Sequence, residues 1–536
     1  MPYRILSTQS LREVEAAADS GGLSYAQLMQ NAGRAAAERC CQLLGQRAAG
    51  ARVTVLVGPG NNGGDALVTG LLLASEAGAQ VRFYLLRPRP DDPHFQQAEA
   101  NNLFIAQAED DQRYRVLHNL VASADLIIDG LFGIGTRPPL RPEAARLLRA
   151  VQPALHDGAA EQRDYHAFLS TPAQPLIPPR RPLIVALDCP SGIDCDSGAV
   201  DPAALPADET ITFVAAKPGL LTFPAAALVG RLTLSTLGVP PTLPAMRTAS
   251  PFIAGAAEAA ERLPARPLDA HKGSFGRLLI VGGSAQYYGA PLMAALAAYR
   301  AGAGLACLDA PEALRQALAA QAPEVIWHPA GAALDDAQSA SGLLIGPGLG
   351  TDALATQRLE AALQVTTGRV LPAVVDADAL TLLARMPDWP ARFSTPPILT
   401  PHPGEMARLC GLTTSEVQAD RWALAQNKAQ EWRSIVLLKG AHTVIASPDG
   451  DVAVLPFKTP ALAKAGSGDV LAGLIAGLIV QGCSGWDAAI CGAVLHALAG
   501  EAAANTCGSA RAVLASDVLA SVGQALQALE PLATGQ

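Results

Sequence analysis

From residue 12 to residue 44, apolar positions recur at intervals of three and four, a helical period broken once at Gly21–Gly22. The rhythm then shortens. Apolar runs at 53–57, 81–85, 126–128, 183–187 and 210–214 alternate with helical stretches such as 66–77 and 143–149. Alternation of this kind builds βαβ units and a mostly parallel sheet. The stretch 152–181 is long, polar and proline-rich, and it reads as a surface insertion. Around 240–266 proline and alanine replace periodicity, which places a linker at 240–267 between a first domain at 1–239 and a second at 268–536. A second alternating series runs through 277–281, 343–345, 373–375, 398–400 and 434–438, then ends in helices at 469–482 and 486–504. The motifs of the two halves differ, so the chain is not a tandem repeat.

Composition narrows the class. A chain of 536 residues exceeds what one hydrophobic core serves, and 50% apolar with 16% charged residues excludes wholesale disorder. A formal charge of −9 leaves no electrostatic footprint for nucleic acid. The nine cysteines show no CxxC pair and no Cys/His cluster, which argues against zinc and against a disulfide framework. Cys40 and Cys41 read as packing residues. Residues 1–10 lack a basic region followed by an apolar run. The longest apolar stretch, 470–480, falls short of the roughly 20 residues that span a bilayer. The expectation is a cytoplasmic, homo-oligomeric protein that meets small molecules, with neither nucleic-acid nor membrane partners.

In the first half, strand 53–57 runs into Gly58-Pro59-Gly60-Asn61-Asn62-Gly63-Gly64-Asp65 and then a helix. Gly58 to Gly63 satisfies GxGxxG, the dinucleotide fingerprint, although a glycine-rich turn that merely tightens strand to helix reads the same. Neither reading explains the Asn pair and the Asp, whose oxygens add ligands beside a loop of free N–H groups. Two more loops lie at predicted strand ends: Asp129-Gly130-Leu131-Phe132-Gly133-Ile134-Gly135-Thr136-Arg137 and Leu187-Asp188-Cys189-Pro190-Ser191-Gly192-Ile193-Asp194. With Thr210 to Phe213, Lys217-Pro218-Gly219 and the early Leu28 to Gly33, this ordered set resembles the NAD(P)H-hydrate epimerase family over nearly all of 1–239. Ala66 stands where the family usually has Gly. The resemblance implies that Asn61, Asn62, Gly63, Gly64, Asp65, Gly133, Ile134, Gly135, Thr136, Arg137, Pro138 and Pro139 hold the hydrated cofactor. It implies K⁺ on Asn62, Asp129 and Ser191. Asp188 contacts substrate and is the acid/base candidate, with Lys217 second; a turn cap is the plainer role for Asp188.

In the second half, Ala465-Gly466-Ser467-Gly468-Asp469 opens a helix whose Gly473 and Gly477 permit close packing. A glycine-rich helix N-terminus offers free N–H donors to a developing phosphate charge, and an Asp on the same turn can take a hydroxyl proton. A plain helix cap is the competing role for that Asp. With Lys439-Gly440-Ala441-His442-Thr443 upstream, the segment resembles the ribokinase-like superfamily. The ordered His271 to Gly276, Gly282 to Ser284, Tyr288 to Pro291, Gly346 to Gly350, Asp376 to Leu380 and Thr400 to Glu405 narrow it to the ADP/ATP-dependent NAD(P)H-hydrate dehydratases, over roughly 268–533. By that resemblance Ala290, Gly348, His402 and Asp469 face the hydrate. Lys439, Gly440, Ala441, His442, Thr443, Gly466, Ser467 and Gly468 face the nucleotide. Thr459 stands where the family usually has Asn.

The fold expected is α/β in two three-layer domains, Rossmann-like and then ribokinase-like. The resemblance implies repair of NADHX and NADPHX: epimerisation of the R and S forms, then ADP-dependent dehydration of the S form with Mg²⁺. A hydroxyl kinase fused to a non-catalytic ligand-binding domain is the alternative. An NADP-dependent dehydrogenase leaves the second half without a role.

Overall fold

The computed structural model describes residues 3–160, 181–247, 251–332 and 337–534, and the chain falls into two compact units that divide at Thr248 and Ala249. Each is taken by itself.

The first unit opens with helices Thr8–Ser20 and Tyr25–Leu44, each capped by a serine whose side chain accepts a backbone N–H. Its described strands are β1 (Arg52–Val57), β2 (Gln80–Leu85), β3 (Phe104–Gln107), β4 (Leu126–Gly130), β5 (Leu183–Leu187), β6 (Glu209–Phe213) and β7 (Arg231–Ser235). They pair in the order β3-β2-β1-β4-β5-β6-β7, parallel throughout. Side chains alternate between faces along a strand. Val53, Val55 and Val57 enter one core with Leu11, Ala36 and Leu67, while Leu56 enters another with Leu117, Ile127 and Leu147. Two buried faces make three layers. The strand order reverses between β1 and β4, so the loops after those strands open a crevice there, where open α/β sheets bind ligands.

Two expectations are corrected here. The helix Pro142–Ala160 continues past 149 and carries Pro153 within it, so the polar stretch begins as helix; residues 161–180 lie outside the described residues. β3 and β7 were not foreseen. β3 is an edge strand with Phe104 exposed, so it lacks the buried alternation by which a strand is read.

In the second unit the described strands are β8 (Phe252–Ile253), β9 (Arg277–Val281), β10 (Leu305–Ala310), β11 (Ile326–Pro329), β12 (Gly342–Ile345), β13 (Ala373–Val375), β14 (Ile398–Leu399), β15 (Ile435–Leu438), β16 (Val444–Ala446) and β17 (Val452–Val454). Their order is β11-β10-β9-β12-β13-β14-β15-β16-β17-β8, with β15 to β17 antiparallel and the other pairs parallel. The reversal falls between β9 and β12. β8 corrects the expected linker at 240–267: Phe252 and Ile253 pair with β17, and the helix Ala256–Ala260 sinks Ala259 and Ala260 into this unit's core.

Gly473 and Gly477 do what their size suggests. A methyl on Gly473 would stand 2.2 Å from Ala294 O, and one on Gly477 2.6 Å from Ala298 O, so the helix Ser467–Val480 lies hard against Gly289–Arg300. The helix Gly485–Thr506 is long and apolar enough to cross a membrane by length and composition, yet it lies largely buried in this unit's core. All nine cysteines are free; Cys40 is buried and Cys41 half-buried.

Candidate active sites

A cavity of about 1150 Å³ opens at the β1/β4 crevice of the first unit. Asn61, Asn62, Asp65, Gly133, Ile134, Gly135, Thr136, Arg137, Pro139 and Asp188 line it; Gly63, Gly64 and Pro138 do not. The two glycines serve packing. A methyl on Gly63 would stand 2.0 Å from Gly58 O, and one on Gly64 2.6 Å from Met29 Cε. Ala66 points its methyl at Gly130 in the core, so it leaves the loop unnarrowed.

Asp188 follows β5 with φ 64, a left-handed conformation that a non-glycine residue adopts at a cost of about 1–3 kcal/mol. The bend turns its carboxylate across the sheet end onto Lys217, which is fully buried and also donates to Thr212 Oγ1 at 2.7 Å and Phe213 O at 3.0 Å. Such a partner is not a local turn cap. The cost of burying an ammonium is offset by this ion pair and these acceptors. Lys217 sits beneath the cavity rather than in it.

Asn62 reaches β5, donating from Nδ2 to Leu187 O at 3.1 Å, while its Oδ1 is buried without a hydrogen-bond partner. Ser191 donates from its N–H and its hydroxyl to Asp129, at 2.8 and 2.6 Å. Burial raises the Asp129 carboxyl above its usual range against those hydrogen bonds. The orphaned amide oxygen of Asn62 and the buried carboxyl of Asp129 are each oxygens of the kind a cation collects.

Glu15 escaped the sequence reading. Backbone bonds Leu6 N to Ala216 O and Ala216 N to Arg4 O, with Thr8 held by Asp196, set the Thr8–Ser20 helix over the loops. Glu15 lines the cavity with Arg12. Burial, then the charge of Asp188, raises its carboxyl; the same two causes hold Asp65 well above the ordinary range. A signal existed: Glu15 shares a helix face with buried Leu11, Val14 and Ala18.

In the second unit the loops after β13, β14 and β15 meet the N-terminus of Ser467–Val480. Gly466, at φ 87, is the cap residue, and no side chain caps this helix, so Asp469 is not its cap. Burial and then Asp376 push the Asp469 carboxyl up to about 7, with Lys439 opposing. Lys439 Nζ stands 2.8 Å from Asp376 Oδ1 and 3.7 Å from Glu405 Oε2. Glu405 is itself pushed up to about 7 by burial.

The remaining residues divide by what they can offer. His402 accepts from Gly404 N at 3.0 Å, capping its own helix, and is half-exposed. The side chain of His442 is buried, with Nδ1 3.0 Å from Leu455 O and its pKa lowered to about 4 by burial. The Ser467 hydroxyl donates to Leu462 O and Lys464 O. His442 and Ser467 therefore present backbone. Thr443 Oγ1 closes on Gly440 O at 2.8 Å, and Thr459 caps a short turn through Ala461 N. Gly348, at φ 62, abuts Tyr287 and Ala290, joining the loops after β9 and β12. Arg421, absent from the sequence reading, donates to Leu438 O, Lys439 O and Ala441 O and so clamps the Lys439–Thr443 loop.

The sequence comparisons agree in both halves. A family model described as NAD(P)H-hydrate dehydratase matches residues 278–522, and one described as YjeF-related protein N-terminus matches 25–219. The bifunctional NAD(P)H-hydrate repair enzyme Nnr of Moorella thermoacetica is 36% identical over 94% of this chain and 92% of its own length. The chain belongs to the bifunctional NAD(P)H-hydrate repair enzymes. The Escherichia coli relative of that name is 34% identical over 97% of this chain and 94% of its own length. A solved Bacillus subtilis ADP/ATP-dependent NAD(P)H-hydrate dehydratase, co-crystallised with ATP and Mg²⁺, is 30% identical. It covers 53% of this chain and 100% of that one, with a TM-score of 0.47.

Proposed function

We propose that this repair enzyme interconverts the R and S epimers of NADHX and NADPHX in its first unit and dehydrates the S epimer with ADP in its second. The observation that carries the reading is Asp469: a carboxyl held near 7, uncommitted to capping, on a helix N-terminus beside a charged lysine.

Epimerisation needs groups that take and give protons around C6 of the hydrated ring. Asp188, ion-paired to Lys217, faces the same cavity as Asp65 and Glu15, which keep their protons to higher pH than ordinary carboxyls. Carboxyls that keep their protons in this way suit the acid role. The Asn61 to Asp65 and Gly133 to Pro139 loops hold the substrate. K⁺ fits Asn62, Asp129 and Ser191, where the unpaired Asn62 Oδ1 and the buried Asp129 carboxylate form an oxygen set. Held by those residues, K⁺ would supply a fixed positive charge near the substrate.

Dehydration begins because hydroxide leaves poorly and phosphate leaves well. Asp469 takes the proton of the C6 hydroxyl as that oxygen bonds to the terminal phosphorus of ADP, and AMP departs with the electron pair. The Gly466 and Gly468 amides hold the phosphoryl oxygens, while the Ser467 amide donates to Lys464 O at 3.3 Å. Phosphate then leaves C6, pushed by the ring-nitrogen lone pair; loss of a C5 proton restores the double bond. Ala290, Gly348 and His402 shape the hydrate pocket, and Lys439 to Thr443 line the nucleotide. Mg²⁺, brought in with the nucleotide, would offset phosphate charge.

Incubation of the full chain with mixed-epimer NADHX, Mg²⁺ and either ADP or ATP tests the reading through the absorbance of regenerated NADH. Full recovery from both epimers is expected. A stable phosphate ester without recovered NADH would make the second unit a hydroxyl kinase instead.

A further inference from the structure

At about 1150 Å³ the first cavity exceeds the roughly 300–1,000 Å³ of an ordinary small-ligand pocket. Asp188 lines it just past β5, and Arg87 lines it just past β2. Those strands stand three places apart in the sheet, about 14 Å at the usual spacing. After β1, between them, the helix Asn61–Glu76 begins at Gly60, where no side chain caps it, so its first amides are open to phosphate. A dinucleotide with its hydrated ring at Asp188 and its pyrophosphate on those amides lays its adenosine past β2. In doubly wound sheets the residue there reads the ribose: an acid accepts the 2′-hydroxyl, an arginine meets a 2′-phosphate.

The acids near that strand end are not placed for a hydroxyl. Asp92 lines the cavity, but its Oδ1 accepts His94 N at 2.9 Å and Phe95 N at 3.3 Å, and its Oδ2 accepts Arg89 Nε at 2.9 Å. Asp91 stays outside the lining. Arg87 is half-exposed and spends one of its five N–H groups on Glu143 Oε1 at 2.5 Å. Glu143 holds the guanidinium at the cavity wall, and Arg141, two residues earlier, lines the same cavity with a second positive charge. We propose that Arg87 binds the 2′-phosphate that sets NADPHX apart from NADHX, and that the first unit therefore favours the phosphorylated substrate. The planar fork suits a phosphate, since two parallel N–H groups meet two of its oxygens. NADHX offers only a neutral hydroxyl there and leaves the guanidinium on Glu143. The contact lies far from C6, so it changes binding and leaves the chemical step alone.

This inference rests on the assignment of Asp188 as the reacting end of the first unit. It is tested on the full chain without ADP or ATP, so that dehydration does not run, by chromatography of the R and S forms. The wild-type protein should show a kcat/KM about tenfold higher for NADPHX than for NADHX, the low end for a charge-assisted hydrogen bond because Arg87 is half in water. Arg87→Gln should bring that ratio to about one through a raised KM for NADPHX, with kcat held. Arg87→Lys, which keeps the charge but not the fork, should fall between the two. Added salt should narrow the wild-type ratio. A wild-type ratio near one, or an Arg87→Gln protein that keeps the wild-type ratio, overturns the inference. Calorimetry with NADP⁺ and NAD⁺ separates it from the reading beneath it, since Arg87→Gln should weaken the binding of NADP⁺ and not that of NAD⁺. If the wild type interconverts no epimer and Arg87→Gln still binds NADP⁺ more weakly, the epimerase reading falls and the 2′-phosphate site stands.

Discussion

In the proposed dehydration Asp469 has two demands to meet that pull against each other. A strong base wants a high pKa, and a base must also be ionised to act. At about 7 the carboxyl meets both near neutral pH. The sign of the pH dependence follows. The group works deprotonated, so kcat/KM for dehydration should rise with pH through about 7 and level above it. Asp469→Asn should lie at least about two orders of magnitude lower and lose that rise, as stopped-rate measurements across pH would show; a variant that retains the rise would give the titration to Glu405. Asp188→Asn is the counterpart in the first unit. It removes the partner of buried Lys217, so epimerisation should be lost while dehydration of the S epimer continues. Unchanged epimerisation in a folded Asp188→Asn protein would return Asp188 to a structural role. Most residues of both candidate sites could be proposed from the sequence because they stand in short runs at strand ends, where glycine and Asp mark the loop. Glu15 was not, since its partner Asp188 lies far along the chain and only the fold joins them. Arg421 was hidden for the same reason: its three acceptors are carbonyls, which no sequence displays.

Among the elements, buried strands such as β1 and β12 were readable as apolar runs, whereas the edges were not. β3 and β11 are half-exposed, and the three-residue β16 and β17 were not read either. β10 also escaped, because Ala306 and Ala310 and the alanines before it carry a helical rather than a strand expectation. The loop after β15 shows how an element is held for function. Arg421, on the helix Arg421–Trp432, spans that loop through three carbonyls, and burial lowers its pKa to about 10 without abolishing its charge at neutral pH. Arg421→Met leaves those carbonyls without a donor in a dry place. A loss of about 3 kcal/mol is expected, together with a KM for ADP raised about tenfold as Lys439 to Thr443 loosen. Thermal melting and initial rates check both. A lower melting temperature with an unchanged KM would show that the clamp serves stability alone.

At the scale of the whole molecule, composition and rhythm announced two α/β units with a boundary inside 240–267, where the units divide at Thr248 and Ala249, but they read as linker what belongs to the second unit. Proline and alanine over 240–267 hid an edge strand and a short helix that complete the second sheet. Phe252 and Ile253 are buried there, Phe252 meets Trp486 edge-on at 6.4 Å, and Ala259 and Ala260 are enclosed. Burying a Phe or an Ile side chain contributes about 1.5–3 kcal/mol each, so a fragment that starts at 268 forgoes roughly 3–6 kcal/mol. Against a total margin of about 5–15 kcal/mol for a domain, that is most of the reserve. Residues 249–536 should therefore melt cooperatively and consume only the S epimer of NADHX with ADP. Residues 268–536 should melt far lower and lose that activity as the temperature rises. Residues 1–248, which carry no phosphoryl-transfer loop, should interconvert the epimers without nucleotide. Circular dichroism melts of the two C-terminal fragments decide the point: coincident curves would mean that β8 adds nothing to the second sheet and that the second unit starts at 268.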